Sequence, residues 1–123
     1  MTDLTFETFP NQLRTAVPGF DRVYDDHVAE YGDVLPHVLL GELVRFLSTE
    51  AGTHGPESAV LKQAMLLLER GMGSPDSRVQ ELVAVSFLEN LDPDDPAFPV
   101  LRNLFGVRLE RQYRQYEKAA EGG

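Results

Sequence analysis

Apolar residues recur along most of the chain at intervals of three and four positions, the spacing that places them on one side of an α-helix. The clearest stretch runs from Phe20 to Tyr31, where an apolar side lies opposite a strongly charged one. Glycine and proline interrupt the pattern, and no stretch shows the period-two alternation that is typical of a strand. The sequence predicts seven helices, at about 9–17, 20–31, 34–50, 56–72, 77–91, 98–105 and 109–120.

Several residues at the breaks have the chemistry of helix ends. Gly32 suits a helix C-terminus and Asp33 can cap the helix that follows. Pro36 is tolerated in a first turn because its missing N–H would have no helical partner there. Asp76 or Ser77 can cap the fifth segment, which is apolar around most of its circumference and is therefore expected at the centre.

Short connections join the predicted helices, so consecutive helices are expected to be antiparallel neighbours. We therefore expect an all-α fold: a compact irregular bundle of about six to seven antiparallel helices, with residues 1–123 forming a single helical domain. Stacked helix pairs of the HEAT kind are the alternative, because the lengths of the third to fifth helices would suit them. No self-similarity at a fixed period supports a true repeat array.

Composition narrows the classes of function. The 123 residues include 20 acidic and 11 basic side chains, a formal charge of −9, and no cysteine. Such acidity disfavours binding to duplex DNA or an anionic membrane, and the lack of cysteine excludes disulfides, cysteine-ligated metals and thiol catalysis. The first residues are acidic and do not resemble a secretory leader, and no apolar run approaches a membrane span. We expect a cytoplasmic protein with a basic protein partner.

Charge is unevenly distributed along the chain. Residues 1–60 carry ten acidic and three basic side chains, a net charge of −7, whereas residues 101–123 carry three acidic and five basic ones, a net charge of +2. Like charges one helical turn apart repel, so a partner offering Lys and Arg would relieve the crowding in the second segment. The predicted partner-binding residues are the acids there and two tyrosines beside them: Asp21, Tyr24, Asp25, Asp26, Glu30, Tyr31 and Asp33.

Catalytic motifs are absent from the sequence. It contains no P-loop, G-x-S-x-G or H-E-x-x-H pattern, so we assign no catalytic residue, cofactor or metal ligand and expect a protein that is not an enzyme. His27 and Glu30 have the H-x-x-E spacing of metal sites in bundles, but the second copy that such sites use is missing. We expect His27 to be half-buried and bonded to a tyrosine or a backbone carbonyl, with Asp26 and Glu30 pointing away from it. His37 is expected to pack rather than to catalyse.

The last predicted helix is basic and carries tyrosines among its arginines. Basic residues interleaved with aromatic ones can bind RNA. The interpretation that we favour is that Tyr113 and Tyr116 pack on the bundle, while the arginines are solvated or paired. Glu110 and Arg114, for example, have the i, i+4 spacing of a helical ion pair.

Two blocks resemble a small, uncharacterised family of bacterial all-α proteins. One is Leu-Pro-His-x-Leu-Leu-Gly-Glu-Leu at 35–43, preceded by Tyr24, His27, Tyr31 and Gly32; the other is Val-Ser-Phe-Leu-Glu-Asn-Leu at 85–91. The resemblance covers residues 20–118. Members of such families look like immunity proteins encoded beside polymorphic or contact-delivered toxins. The resemblance implies a compact helical fold and a toxin-neutralising role, and it assigns no catalytic residue.

These observations favour an immunity protein that binds a cognate protein toxin, such as a basic nuclease, and occludes the active site of the toxin. The chain would act as a monomer or homodimer, without duplex DNA, membrane or cofactor. A helical scaffold or adaptor without a toxin partner is the alternative, in which the charge serves solubility. A metal-dependent enzyme that uses His27, Glu30 and His37 is the third possibility.

Overall fold

The computed structural model describes residues 4–122, and the regular structure in that range is helical throughout. Seven α-helices follow one another along the chain: α1 (Phe9–Ala16), α2 (Phe20–Tyr31), α3 (Pro36–His54), α4 (Ala59–Met72), α5 (Ser77–Glu81), α6 (Phe98–Asn103) and α7 (Val107–Gly122). Within the described residues, no helix is both long enough and apolar enough to cross a bilayer. The expected all-α bundle of about six to seven helices is confirmed for this part of the chain.

Glycines fix both ends of α2. Gly19 and Gly32 have left-handed φ angles of +86° and +77°, which glycine adopts readily because it has no Cβ. The N–H of Gly32 donates to the Val28 carbonyl at 2.8 Å and ends the helix as expected. The expectation that Asp33 caps α3 is wrong, because α3 begins at its proline and Leu35 takes the cap position. The Asp33 carboxylate instead accepts the next backbone N–H at 2.8 Å.

The boundary between α3 and α4 lies later than the sequence pattern indicates. α3 continues to His54, past the predicted end at about 50, and a single 3₁₀ turn follows at Gly55–Glu57. The hydroxyl of Ser58 then accepts the Leu61 N–H at 3.3 Å. This cap is the reason that α4 begins at Ala59 rather than at 56.

The predicted fifth helix changes its winding along its length. Asp76 caps α5 as expected, accepting the Arg78 N–H at 3.0 Å. The chain then widens into a π-helical segment at Leu82–Phe87, which we call the π turn, and tightens to a 3₁₀ turn at Leu88–Asn90. Apolar periodicity predicts one continuous helix here, because it registers which residues are apolar and not which carbonyl each N–H reaches.

The core lies where α1, α3, α4 and the π turn meet. The largest fully buried side chains come from these elements and their neighbours: Phe9, Leu13, Phe20, Leu39, Leu40, Leu43, Leu47, Leu61, Leu68, Leu82, Phe87 and Leu88. α3 packs on the π turn, α1 on α4, and α4 on α7, so elements that are distant in sequence close the bundle. An open row of HEAT-like pairs, each contacting only its neighbours, does not describe this packing.

Candidate partner-binding surface

His27 joins α2 to the beginning of α3. The ring is buried; its Nε2 accepts the Leu35 N–H at 2.9 Å, and its Nδ1 lies 2.7 Å from Glu42 Oε1. A ring nitrogen that accepts an N–H carries no proton, so the ring proton is on Nδ1. This N–H donates a hydrogen bond to the Glu42 carboxylate. The expectation of a half-buried histidine bonded to a tyrosine or a carbonyl is therefore wrong. Tyr31 contacts the ring through its own ring, with the centroids 4.8 Å apart.

This histidine satisfies a backbone group that the helix itself cannot. The N–H of Leu35 precedes the first turn of α3, where no earlier turn supplies a carbonyl. His27 supplies the acceptor from α2, while Glu42 holds the opposite side of the ring from within α3. The two hydrogen bonds fix α2 against α3 at a defined position.

An acidic groove lies directly beside this junction and has a volume of about 410 Å³. We call it the α2–α3 groove. Its lining residues are Val23, Asp26, His27, Glu30, Glu42, Arg45, Phe46, Thr49 and Glu50. Four carboxylates and one guanidinium thus share a concave surface. Asp26 and Glu30 lie on the same side of His27 around α2 and line the same groove, so the expectation that they point away from it is wrong.

The four carboxylates of the groove differ in what they bind. Glu42 accepts from His27, and Glu50 accepts the Ser58 hydroxyl at 3.0 Å. Asp26 and Glu30 are exposed and make no ion pair or hydrogen bond with any residue of 4–122 through their side chains. They lie four residues apart on α2, where like charges repel. These are the two carboxylates of the groove that make no hydrogen bond or ion pair with residues 4–122.

The remaining acids of α2 lie on its other side, towards α1. Arg14 Nε donates to Asp25 Oδ1 at 3.2 Å, and the same guanidinium lies 5.4 Å from the centre of the Tyr24 ring. Asp21 is exposed one turn before Asp25 and shares its side of the helix. The six predicted residues that belong to α2 are therefore divided between two of its sides instead of forming one face, and the seventh, Asp33, lies in the α2–α3 connection.

Exposed apolar side chains follow the groove at the α2–α3 connection. Tyr31 ends α2, Leu35 precedes α3 and is 40% exposed, and Val38 lies one turn further on the outside of α3. The four-residue spacing of Leu35 from Leu39 indicates a core position, but Leu35 stands at the cap, outside the helical register. The sequence pattern does not predict Leu35 and Val38 as surface residues. The one signal was the proline between them, because a helix that begins at Pro36 leaves Leu35 outside its first turn.

The two sequence blocks at 35–43 and 85–91 contact each other. His37 Nδ1 is hydrogen-bonded to the hydroxyl of Ser86 in the π turn, and Asn90 Nδ2 donates to the Ser86 carbonyl at 2.8 Å. Ser86 is buried, so its hydroxyl is not presented to a substrate. The pair joins α3 to the π turn across 49 positions of sequence, a contact that helical spacing cannot reveal.

His27, Glu30 and His37 do not converge on a metal site. Both ring nitrogens of His27 are already engaged, and His37 bonds a hydroxyl in the π turn. Across the described range, no three His, Asp or Glu side chains are grouped closely enough to hold a metal ion. The geometry therefore gives no support to the metal-dependent alternative.

Four charged side chains of α6 and α7, those of Arg102, Glu110, Arg114 and Glu117, are paired with each other. Arg102 donates to Glu110 at 2.9 Å and to Glu117 at 3.0 Å, and Arg114 Nε donates to Glu110 at 2.7 Å. The hydrogen bond from Arg102, with the one from Arg114, lowers the pKa of Glu110 from 4.5 to about 2. Tyr113 is buried, with the Arg102 guanidinium 4.9 Å from its ring centre. The last helix thus packs through a tyrosine and pairs an arginine at i, i+4, as expected.

Comparison with known proteins places the chain in one family. The family model described as Domain of unknown function (DUF7674) matches residues 10–120. Because the match covers most of the chain, the protein belongs to this family. No curated protein and no solved structure matches it. The family description assigns no activity, so the functional proposal rests on the geometry of the groove and on the resemblance.

Proposed function

We propose that the protein is an immunity protein that binds a cognate bacterial toxin with a basic surface, such as a nuclease, and covers the active site of that toxin. The observation that carries the proposal is the pair Asp26 and Glu30, exposed at the α2–α3 groove and without an ion pair to any described residue, although Arg45 lines the same groove. A bound Lys or Arg relieves the repulsion between the two carboxylates.

The groove offers a basic partner both attraction and an anchor. The net charge of −7 over residues 1–60 steers a basic protein towards this half of the chain and raises its association rate at low salt. At contact, Tyr31, Leu35 and Val38 provide an apolar centre beside the acidic groove. An apolar centre with a polar surround is the usual anatomy of a protein interface, and buried aromatic anchors carry much of the binding energy.

The two hydrogen bonds of His27 hold the groove in one conformation before a partner binds. His27 is bonded on both sides, so α2 and α3 keep their relative position without a partner. A surface that is already in its binding conformation loses less entropy on association. The role of His27 in this proposal is therefore to position the acidic residues, without contacting the toxin.

The basic last helix is a weaker candidate for a binding surface. Arg102 of α6 and Arg114 of α7 donate to Glu110, so an RNA phosphate would have to displace an internal carboxylate at those two arginines, which leaves Arg111 and Lys118 as the exposed bases of α7 without an ion pair among the described residues. The acids Asp26 and Glu30 face no such competition within the described chain. This contrast favours a basic protein partner over RNA.

A protection assay tests the proposal. The proposal predicts a toxin gene beside the gene for this chain, and the toxin domain that such a gene encodes is produced in a bacterial host together with wild type, with Asp26→Lys/Glu30→Lys, or with Glu81→Lys/Asp94→Lys. The last variant is the matched control, because it reverses two exposed acids outside the groove and has the same net charge. We expect wild type and control to protect the host and the groove variant to fail.

Two outcomes would contradict the proposal. A groove variant that protects as well as the control would exclude this surface. A wild-type protein that neither binds the toxin nor protects the host would exclude the immunity role and favour the scaffold alternative.

A further inference from the structure

Two large apolar side chains are strongly exposed at α4 and at the beginning of α7. Leu66 in α4 is 61% exposed and Val107 at the beginning of α7 is 71% exposed, more than any other large apolar residue described. Leu66 borders a groove of about 400 Å³ between α4 and the α6–α7 connection. Val107 directly follows Gly106, the last residue of that connection. The groove is lined by Lys62, Met65, Leu66, Glu69, Leu104 and Gly106. We call this surface the α4 strip.

Hydrogen bonds between α4 and α7 hold the two sides of the α4 strip together. The Glu69 carboxylate accepts the N–H groups of Arg108 and Leu109 at 2.8 and 3.0 Å, which ties α4 to the first turn of α7. Gly106 makes this possible, because a Cβ at that position would lie 2.4 Å from the Glu69 carboxyl carbon. The groove is therefore a built feature of the bundle.

We propose that a second copy of the chain docks on the α4 strip, with the two α4 helices antiparallel about a two-fold axis. The sequence of the strip is complementary to itself in this arrangement. Lys62 and Glu69 lie equally far from the midpoint between Met65 and Leu66. A two-fold axis at that midpoint places each Lys62 opposite the Glu69 of the other copy and brings each Leu66 to the other groove.

The charges on the strip fit this occupant. Among the described residues the Lys62 ammonium group forms one ion pair, with the exposed Glu57 at 3.3 Å, and surface pairs of this kind contribute little, so the ammonium group can turn to a new partner. An isologous contact with one cation and one anion at matched positions forms two opposite-charge pairs, in which each Lys62 shares Glu69 with the Arg108 guanidinium that lies 3.9 Å from it. Burial of both copies of Leu66 supplies the apolar contribution.

The proposed dimer leaves the α2–α3 groove free. The α4 strip and the α2–α3 groove share no residue. The dimer therefore does not depend on the toxin proposal, and it is tested with the purified chain alone. Failure of one proposal leaves the other standing.

Single-cysteine cross-linking tests the arrangement, since the chain contains no cysteine. Leu66→Cys is compared with Val85→Cys, which replaces another exposed apolar residue far from the strip in sequence. A short bismaleimide is added to each variant at equal protein concentration. We expect cross-linked dimer to form at least about tenfold faster for Leu66→Cys, because docking raises the effective concentration of its thiols. Equal rates would overturn the proposal.

Sedimentation of the protein without cysteines provides the second measurement. We expect wild type and Val85→Glu to form dimers in a concentration-dependent manner, Lys62→Glu to dimerise more weakly, and Leu66→Glu to remain monomeric. Circular dichroism checks that each variant keeps its helical content. A wild type that stays monomeric, or a folded Leu66→Glu that dimerises as well as wild type, would overturn the proposal.

Discussion

The α2–α3 groove and the α6–α7 region differ in whether their charged side chains form ion pairs. In α6–α7, Arg102 and Arg114 converge on Glu110 and hold its pKa at about 2. In the groove, Asp26 and Glu30 make no ion pair with any described residue, although Arg45 lines the same groove. The pairs of Arg102 and Arg114 with Glu110 and Glu117 already cancel within the net +2 of residues 101–123, and Arg108 lies 3.9 Å from Glu69, which leaves Arg111 and Lys118 as the bases of that range without an ion pair among the described residues. Unpaired charge, rather than net charge, marks the surface that is open to a partner.

The largest expected effect is a loss of folding stability when His27, which joins α2 to α3 beside the groove, is removed. His27→Ala removes a buried ring with two hydrogen bonds, and we expect it to lower the free energy of unfolding by about 3 kcal/mol. His54→Ala is the matched control, because His54 is exposed and lies 3.9 Å from Glu50; its loss should stay below about 0.5 kcal/mol. Urea denaturation measures both. Equal losses would mean that His27 does not hold α2 against α3.

The second effect compares one paired and one unpaired guanidinium. Arg102→Met removes the contacts to two carboxylates, and we expect a loss of about 1–3 kcal/mol in the free energy of unfolding. Arg45→Met removes a groove arginine that makes no ion pair with residues 4–122, and we expect a change within about 0.5 kcal/mol. Chemical denaturation of the two variants checks the difference. Similar losses would contradict the contrast between the two regions.

The third effect is a dependence on pH in the acid range. The pKa of Glu110 is lowered from 4.5 to about 2 by Arg102 and Arg114, so its contribution to stability is complete above pH 4.5 and is lost as the pH falls towards 2. The hydrogen bond from Arg78 similarly lowers the pKa of Asp76 from 3.8 to about 2.

Arg102→Met tests this dependence directly. The variant should show a shallower decline of stability between pH 4.5 and 2 than wild type, because the pKa of Glu110 moves back towards 4.5. Thermal melting as a function of pH provides the measurement. Parallel profiles for the two proteins would show that the α6–α7 pairs are not coupled to folding.

The smallest effect has the opposite sign. Asp26→Asn/Glu30→Gln removes a like-charge pair one turn apart, and we expect the free energy of unfolding to rise by about 0.3 kcal/mol. Asp25→Asn, which removes the ion pair with Arg14, should not raise it. Precise thermal melts at low salt resolve the difference. A loss of stability in the groove variant would indicate that these acids serve the fold.

The sequence predicts what depends on neighbouring residues. The ends of α2 and the Asp76 cap follow from residues within one turn, and both are confirmed. The partner of His27 lies 15 positions away, and that of Ser86 lies 49 positions away. No periodicity encodes such contacts, because they depend on how the helices pack.

The candidate surface was only partly predictable for the same reason. Asp26, Glu30 and Tyr31 were identified from the charge and the aromatic positions of α2. Charge alone did not reveal that Arg14 neutralises Asp25, because Arg14 belongs to α1. Leu35 was missed because the cap position moved its side chain out of the helical register.

Binding of an oligolysine peptide tests the central claim most directly. Fluorescence anisotropy would measure its affinity for Asp26→Lys/Glu30→Lys and for Glu81→Lys/Asp94→Lys, two variants of equal net charge, at low salt and at about 0.15 M salt. If unpaired carboxylates in the α2–α3 groove form the binding surface, the groove variant should bind at least about tenfold more weakly than the control and show a smaller salt dependence. Equal affinities and equal salt dependences would show that overall charge, and not the groove, attracts a basic partner.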